Sequence, residues 1–170
     1  MPAYIALLRA VNVGGTGKLP MTELKAMCEK AGFTKVKTYI ASGNVVFLSS
    51  KSESQVKKLL ETALEAYAGK PVGVHVRTPA EMAAVLAANP FPQAPTNRTV
   101  AIFIDTKPPA DALDHATGVR EEKMALGAHE IYVYYGDGMA DSKLKIPVAK
   151  TGTARNLNTV AKLAEMAAAL

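Results

Sequence analysis

Cysteine occurs only once in the 170 residues, at position 28, so the chain cannot form an internal disulfide. Cys28 lies between Met27 and Ala31 on the apolar face of an expected helix, which suits a small buried hydrophobe. A reactive thiolate needs an electropositive, partly exposed setting, and this periodicity does not offer one. No uninterrupted apolar run approaches the roughly 18 to 20 residues of a membrane span. Met1-Pro2-Ala3-Tyr4 also lacks the basic start of a secretory signal. The two absences together lead us to expect a cytoplasmic protein with no membrane partner. His75, His115 and His129 show no metal-ligand spacing with one another or with Cys28, so no structural zinc is expected. No cofactor is called for. No Ser/His/Asp order or paired carboxylates stand out, and the adjacent Glu121 and Glu122 would point to opposite faces of a strand.

What the chain does have is an ordinary globular composition, 49% hydrophobic and 21% charged, which excludes disordered and fibrous classes. Its length allows one good core or two small ones sharing an interface. The net charge of +5 is unevenly spread: residues 1–50 carry six Lys/Arg against two acids, 79–135 four against seven, and 136–170 five against three. Basic ends can attract phosphates or nucleic acid, although scattered lysines also serve simply as a solvated face.

Tyr4 to Val11 is an apolar run broken only by Arg9, too short for a helix and suited to a central strand. The stretch Asn12 to Lys18 breaks it, Pro20 opens a helix, and Leu24, Met27, Cys28 and Ala31 recur at helical spacing before Gly32. Val36 to Ala41 and Val45 to Leu48 form a hairpin around Ser42-Gly43-Asn44. Ser52 and Gln55 form a capping box for a helix carrying Val56, Leu59, Leu60, Ala63, Leu64 and Tyr67, which Gly69 closes. Val72 to Arg77 follows as a strand. The order β, α, β, β, α, β predicts an α+β fold with an N-terminal ferredoxin-like unit over residues 1–78.

Residues 79–170 are expected to form a second, smaller mixed α+β subdomain, packed with the first as one compact unit. It begins with a connecting helix over 79–89, capped at Thr78 to Glu81, and a proline-rich linker over 89–98. Strands are expected over Val100 to Asp105, weakly over Arg120 to Leu126, and strongly over Ile131 to Tyr135, with a short helix over Pro109 to Thr117 and a turn at Asp137-Gly138. Tyr132, Tyr134 and Tyr135 should pack on or rim the second sheet. A last helix carries Leu157, Val160, Leu163, Ala164 and Ala167 on one stripe.

In a split βαβ unit the first two strands run the same way with the third between them, so the loop after strand one and the turn after strand two share an edge. Arg9, Asn12, Gly14, Gly15, Lys18, Ser42 and Asn44 are thus expected to converge. Glycines allow close backbone approach, and a helix N-terminus with Lys18 supplies positive character, which suits an anion. The stretch is not a Walker A phosphate loop, since Asn12 stands where its first glycine belongs and Leu19 replaces the metal-binding hydroxyl. A second candidate is the start of the last helix, where Thr153 or Asn156 can cap and Arg155, Asn158 and Lys162 decorate the first turns. The third strand, Gly43 to Leu48, lacks the paired stacking aromatics of an RNA-recognition domain.

Leu8 to Gly15, Pro20-Met21, Ser42 to Phe47, and Arg155-Asn156 with Thr159-Val160 and Lys162-Leu163 together resemble, over almost the whole length, the bacterial family known as domain of unknown function 1697. The resemblance implies a two-subdomain α+β fold with a ferredoxin-like N-terminal part and carries no activity with it. Ala10 stands where the first motif has glycine. Three functional readings stay open. The leading one is a binder of an anionic, phosphate-bearing small molecule or of a nucleic-acid backbone, at Arg9, Asn12, Gly14, Gly15, Lys18, Ser42 and Asn44, with Arg155 and Asn156 completing the site. The others are a small enzyme acting on a phosphorylated or carboxylated metabolite, and a protein interaction module.

Overall fold

The computed structural model of the chain describes residues 1–12, 18–136 and 142–170. Among them the secondary structure is mixed α+β, with two antiparallel four-stranded sheets and four α-helices. The chain divides into two compact units, one formed by Met1–Met82 with Lys162–Leu170 and the other by Ala83–Ala161.

In the first unit, β1 (Ala3–Leu8), β2 (Thr34–Thr38), β3 (Asn44–Leu48) and β4 (Val74–Arg77) form a sheet in the order β2-β3-β1-β4. Every pairing is antiparallel, so β1 and β2 run the same way on either side of β3. The run of apolar residues in β1 is explained by this central position: Tyr4, Ala6 and Leu8 join Val45, Phe47, Val74 and Val76 in the core, while Ile5 and Leu7 on the opposite face are equally buried. Helices α1 (Met21–Lys30) and α2 (Glu53–Ala68) contribute Leu24, Cys28, Val56, Leu60 and Leu64 to that core. Phe33 stacks on Phe47 with ring centroids 4.3 Å apart.

The capping signals read from the sequence are formed. Ser52 accepts from the Gln55 backbone while Gln55 accepts from that of Ser52, and Gly69 ends α2 in the left-handed conformation at φ 74°. The same reciprocal pair joins Thr78 and Glu81 at the start of α3 (Pro79–Ala87).

In the second unit, β5 (Thr99–Phe103), β6 (Lys123–Leu126), β7 (Glu130–Tyr134) and β8 (Thr153–Asn156) form a sheet in the order β6-β7-β5-β8. One face gathers Val100, Ile131, Val133 and Ile146 into a small core. The other carries Tyr132, whose hydroxyl donates to the Val85 carbonyl at 2.7 Å, as a ring packed on the sheet with a satisfied polar tip. Helix α4 (Leu157–Ala168) follows β8 directly.

Three expectations are corrected. The second strand ends at Thr38 rather than Ala41, because Ile40 adopts a left-handed φ of 50° that takes it out of the pleat. The strand expected from Arg120 begins only at Lys123, since the Glu122 carboxylate accepts from the Arg120 backbone at 2.9 Å and bends that segment. The helix expected over Pro109 to Thr117 is a single 3-10 turn, Ala112–His115. The expected turn at Asp137-Gly138 lies outside the described residues.

Candidate functional site

The chain leaving β1 is held from both sides. Leu8 N–H donates to the Gly43 carbonyl at 2.8 Å, and Arg9 N–H donates to the Gly73 carbonyl at 2.9 Å. The first bond ties it to the β2–β3 turn, and the second ties it to the loop between α2 and β4. The antiparallel sheet dictates both meetings, because the end of β1 lies beside the start of β3 and the start of β4.

On the β3 side, the loop after β1 and the turn after β2 do meet, through Asn12. Its amide nitrogen donates to the Leu19 carbonyl at 2.8 Å and to the Ala41 carbonyl at 2.7 Å, while its carbonyl accepts from Leu19 N–H at 2.7 Å. Asn12 thereby closes the base of the glycine-rich loop and joins it to the neighbouring turn. Asn44, fully buried, donates to the Tyr39 carbonyl at 2.9 Å and to the Ser42 hydroxyl at 2.8 Å. Two candidate ligand residues thus hold the backbone of the loops with the same amide groups that a ligand would have used. Gly14 and Gly15 lie outside the described residues.

Ala10, Asn12 and Ile40 all adopt positive φ, at 55°, 55° and 50°, within these two joined segments. Non-glycine residues take that conformation at a cost of about 1 kcal/mol or more. Strain of this kind persists only where surrounding bonds over-determine it, and here the Asn12 bonds do so.

On the β4 side lies a pocket of about 390 Å³. Arg9 and Lys18 reach it from the loop after β1, and Tyr67 and Lys70 from the end of α2 and the loop beyond. All four are exposed. The Arg9 stem runs over Gly73, where an added Cβ would lie 3.6 Å from the Arg9 Cβ. No carboxylate or histidine is among the described lining residues. The opposing feature is the C-terminal end of α2, whose last carbonyls carry about half a negative charge. Arg9, Lys18 and Lys70 bring charge of the opposite sign to the lining.

Sequence reasoning brought Arg9 and Lys18 forward and passed over Tyr67 and Lys70. The signal for both was available in the strand order, because antiparallel pairing of β1 with β4 places the segment before β4 beside the segment after β1. Ser42 and Asn44 do not line the pocket.

Arg155 and Asn156 belong to the second unit. Arg155 sits on β8 rather than on the last helix, 7% exposed, and donates to the Thr153 hydroxyl at 2.7 Å and the Ala154 carbonyl at 2.9 Å. Burial pulls its guanidinium down to about 10, so it remains charged at neutral pH. Asn156 accepts from the Thr159 backbone at 2.9 Å and caps α4, the role its position suggested. Among the described residues no group of three or more His, Cys, Asp or Glu side chains could hold a metal ion, and no helix is long and apolar enough to cross a membrane.

Two antiparallel four-stranded sheets with four helices, and a cation-lined pocket at the end of the first, define a two-sheet α+β protein. The chain belongs to the family described as protein of unknown function (DUF1697), whose profile matches residues 1–132. It is similar to the solved structure of a conserved bacterial protein, SP0830 from Streptococcus pneumoniae, with a TM-score of 0.80 and 25% identity over 97% of this chain and 98% of that one. No curated protein sequence matches it.

Proposed function

We propose that this chain binds a small, phosphate-bearing anion in the pocket formed by Arg9, Lys18 and Lys70, with Tyr67 offering a ring face to the rest of the molecule. The carrying observation is the charge of the lining: three cations and no acid among its described residues. The pocket volume of about 390 Å³ falls in the range of small-molecule sites, and favours a compact ligand over a nucleic-acid backbone, which needs an extended groove. The same lining favours binding over catalysis, because its described residues include no carboxylate or histidine, the side chains that most often serve as general bases. In this reading Asn12, Ser42 and Asn44 position the loops. Arg155 and Asn156 act within the second unit. The element order and the sheet order β2-β3-β1-β4 support a ferredoxin-like description of the first unit. A cytoplasmic setting agrees with a single, buried cysteine.

Calorimetric titration with inorganic pyrophosphate and with ADP tests the proposal. Binding to the wild-type chain is expected, with Arg9→Ala and Lys70→Ala each weakening it about tenfold. A moderate salt dependence is expected, in contrast to the steep one that many neutralised phosphates produce. Titrations that the Arg9→Ala/Lys70→Ala double variant leaves unchanged would place any bound anion elsewhere and remove this reading.

A further inference from the structure

The solvent-facing side of the helical layer carries a second concavity, about 890 Å³ in volume, running between α1 and α2. Its α1 wall is Glu23, Ala26, Met27, Lys30 and Ala31, the i, i+3, i+4, i+7, i+8 set of one helix face. The α2 wall repeats that spacing from Gln55 through Leu59 and Ala63 to Ala66 and Tyr67. Helix α2 has one broad apolar stripe. Val56, Leu60 and Leu64 are buried in the core, while the other flank, Leu59, Ala63 and Ala66, lines the groove, and Tyr67 near the end of the helix is left 47% exposed. The stripe is thus wider than the sheet alone covers.

The size and texture of the groove select a helical occupant. Alanines along both walls let another backbone approach closely, while Met27 and Leu59, partly buried against the core, floor the groove and Tyr67 supplies an exposed aromatic contact. The 16 residues of α2 span roughly 24 Å, enough for four turns of a docked helix. Charge selects further. Each helix runs back along the sheet from the strand before it, and β1 and β3 are antiparallel, so α1 and α2 run in opposite directions. Lys30 at the end of α1 therefore lies toward the start of α2, where Lys51 and Lys58 also line the groove, and Glu23 lies at the far end.

We infer that the groove between α1 and α2 is a docking surface for an amphipathic helix of another protein, with an apolar face and acidic flanks directed toward Lys30, Lys51 and Lys58. The groove shares Tyr67 with the anion pocket, whose three cations lie outside it.

Two synthetic helical peptides of about 16 residues, equal in apolar face and flanked by Glu in one and Lys in the other, test it by NMR titration of the full chain. The Glu-flanked peptide is expected to bind about tenfold more tightly at low salt and to shift the methyl signals of Ala26, Ala63 and Ala66. The variant Lys30→Glu/Lys51→Glu/Lys58→Glu, altered only at surface positions, is expected to invert the preference. Ala66→Arg, which fills the groove without touching the lysines, is expected to abolish binding of both peptides. Equal binding of the two peptides, shifts outside the groove, or no binding of either would overturn the inference. So would protection of the same methyls by self-association of the peptide-free protein, which would assign the groove to a second copy.

Discussion

At the scale of single residues, the end of β1 depends on one glycine. Gly43 has φ 92°, and a Cβ there would lie 2.6 Å from Val11 Cγ2 and 2.8 Å from Leu8 Cβ. The substitution Gly43→Ala combines a forbidden conformation with a clash against core side chains, so a loss of about 3 kcal/mol is expected. It should be read as a lower urea midpoint at an unchanged slope. Ile40 presents the reverse case. Its β-branched side chain is 50% exposed yet holds φ 50°, a conformation that asparagine tolerates far better. Ile40→Asn is expected to raise stability by about 1 kcal/mol, and a lower melting temperature would show that the isoleucine makes up for its strain by packing. Ala10, at φ 55°, takes a backbone conformation that glycine would take freely.

Cys28 makes a pH prediction at the same scale. Burial, with a smaller contribution from the Glu29 charge, pushes the thiol from 9.0 up to about 12. The folded state therefore disfavours the thiolate relative to the unfolded chain. Its contribution to stability is complete below pH 9 and declines as the pH rises from 9 toward 12. Cys28→Ala should flatten the stability profile in that window, as measured by urea unfolding at a series of pH values. The folded wild type should resist thiol reagents at pH 8 until denaturant is added.

At the scale of elements, Asn156 ends β8 and caps α4, so it joins a strand to a helix without an intervening loop. Asn156→Ala is expected to cost about 1 kcal/mol, and Asn156→Asp to restore most of it. Recovery by Asp, seen in thermal unfolding, separates capping from simple volume. The cap was legible because it is local: an Asn, a Thr three residues on, and an apolar stripe after it. The strand that precedes it was not. Thr153–Asn156 has no strong alternation of its own and is a strand only because β5 has an edge open to it, a non-local fact. The first sheet was easier to read because each of its helices is bounded by punctuation, Gly69 and the capping boxes above all. In the candidate site the convergence of two loops was legible from strand direction alone. That Asn12 and Asn44 would use their amides on backbone was not, since spacing places a side chain at an edge without showing which partners it will find there.

At the scale of the whole molecule, the chain starts in the first unit, crosses the second and returns. Residues 162–170, the later turns of α4 and the two residues beyond it, belong with Met1–Met82, although they are the most distant from it in sequence. Periodicity marks the apolar face of α4 but cannot name the surface that face will meet, so this return had to be seen in three dimensions. Leu163 is fully buried in that returning half. Truncation to alanine should cost about 2 to 5 kcal/mol, the usual range for a buried leucine. Leu163 falls within the first unit, and Cys28 is a reporter within it. Under conditions where opening is fast and reversible, the rate of Cys28 labelling follows the open population, so Leu163→Ala should accelerate labelling about 30-fold for each 2 kcal/mol lost. A variant whose overall unfolding midpoint falls while Cys28 labelling stays at the wild-type rate would show that the last nine residues stabilise something other than the first unit.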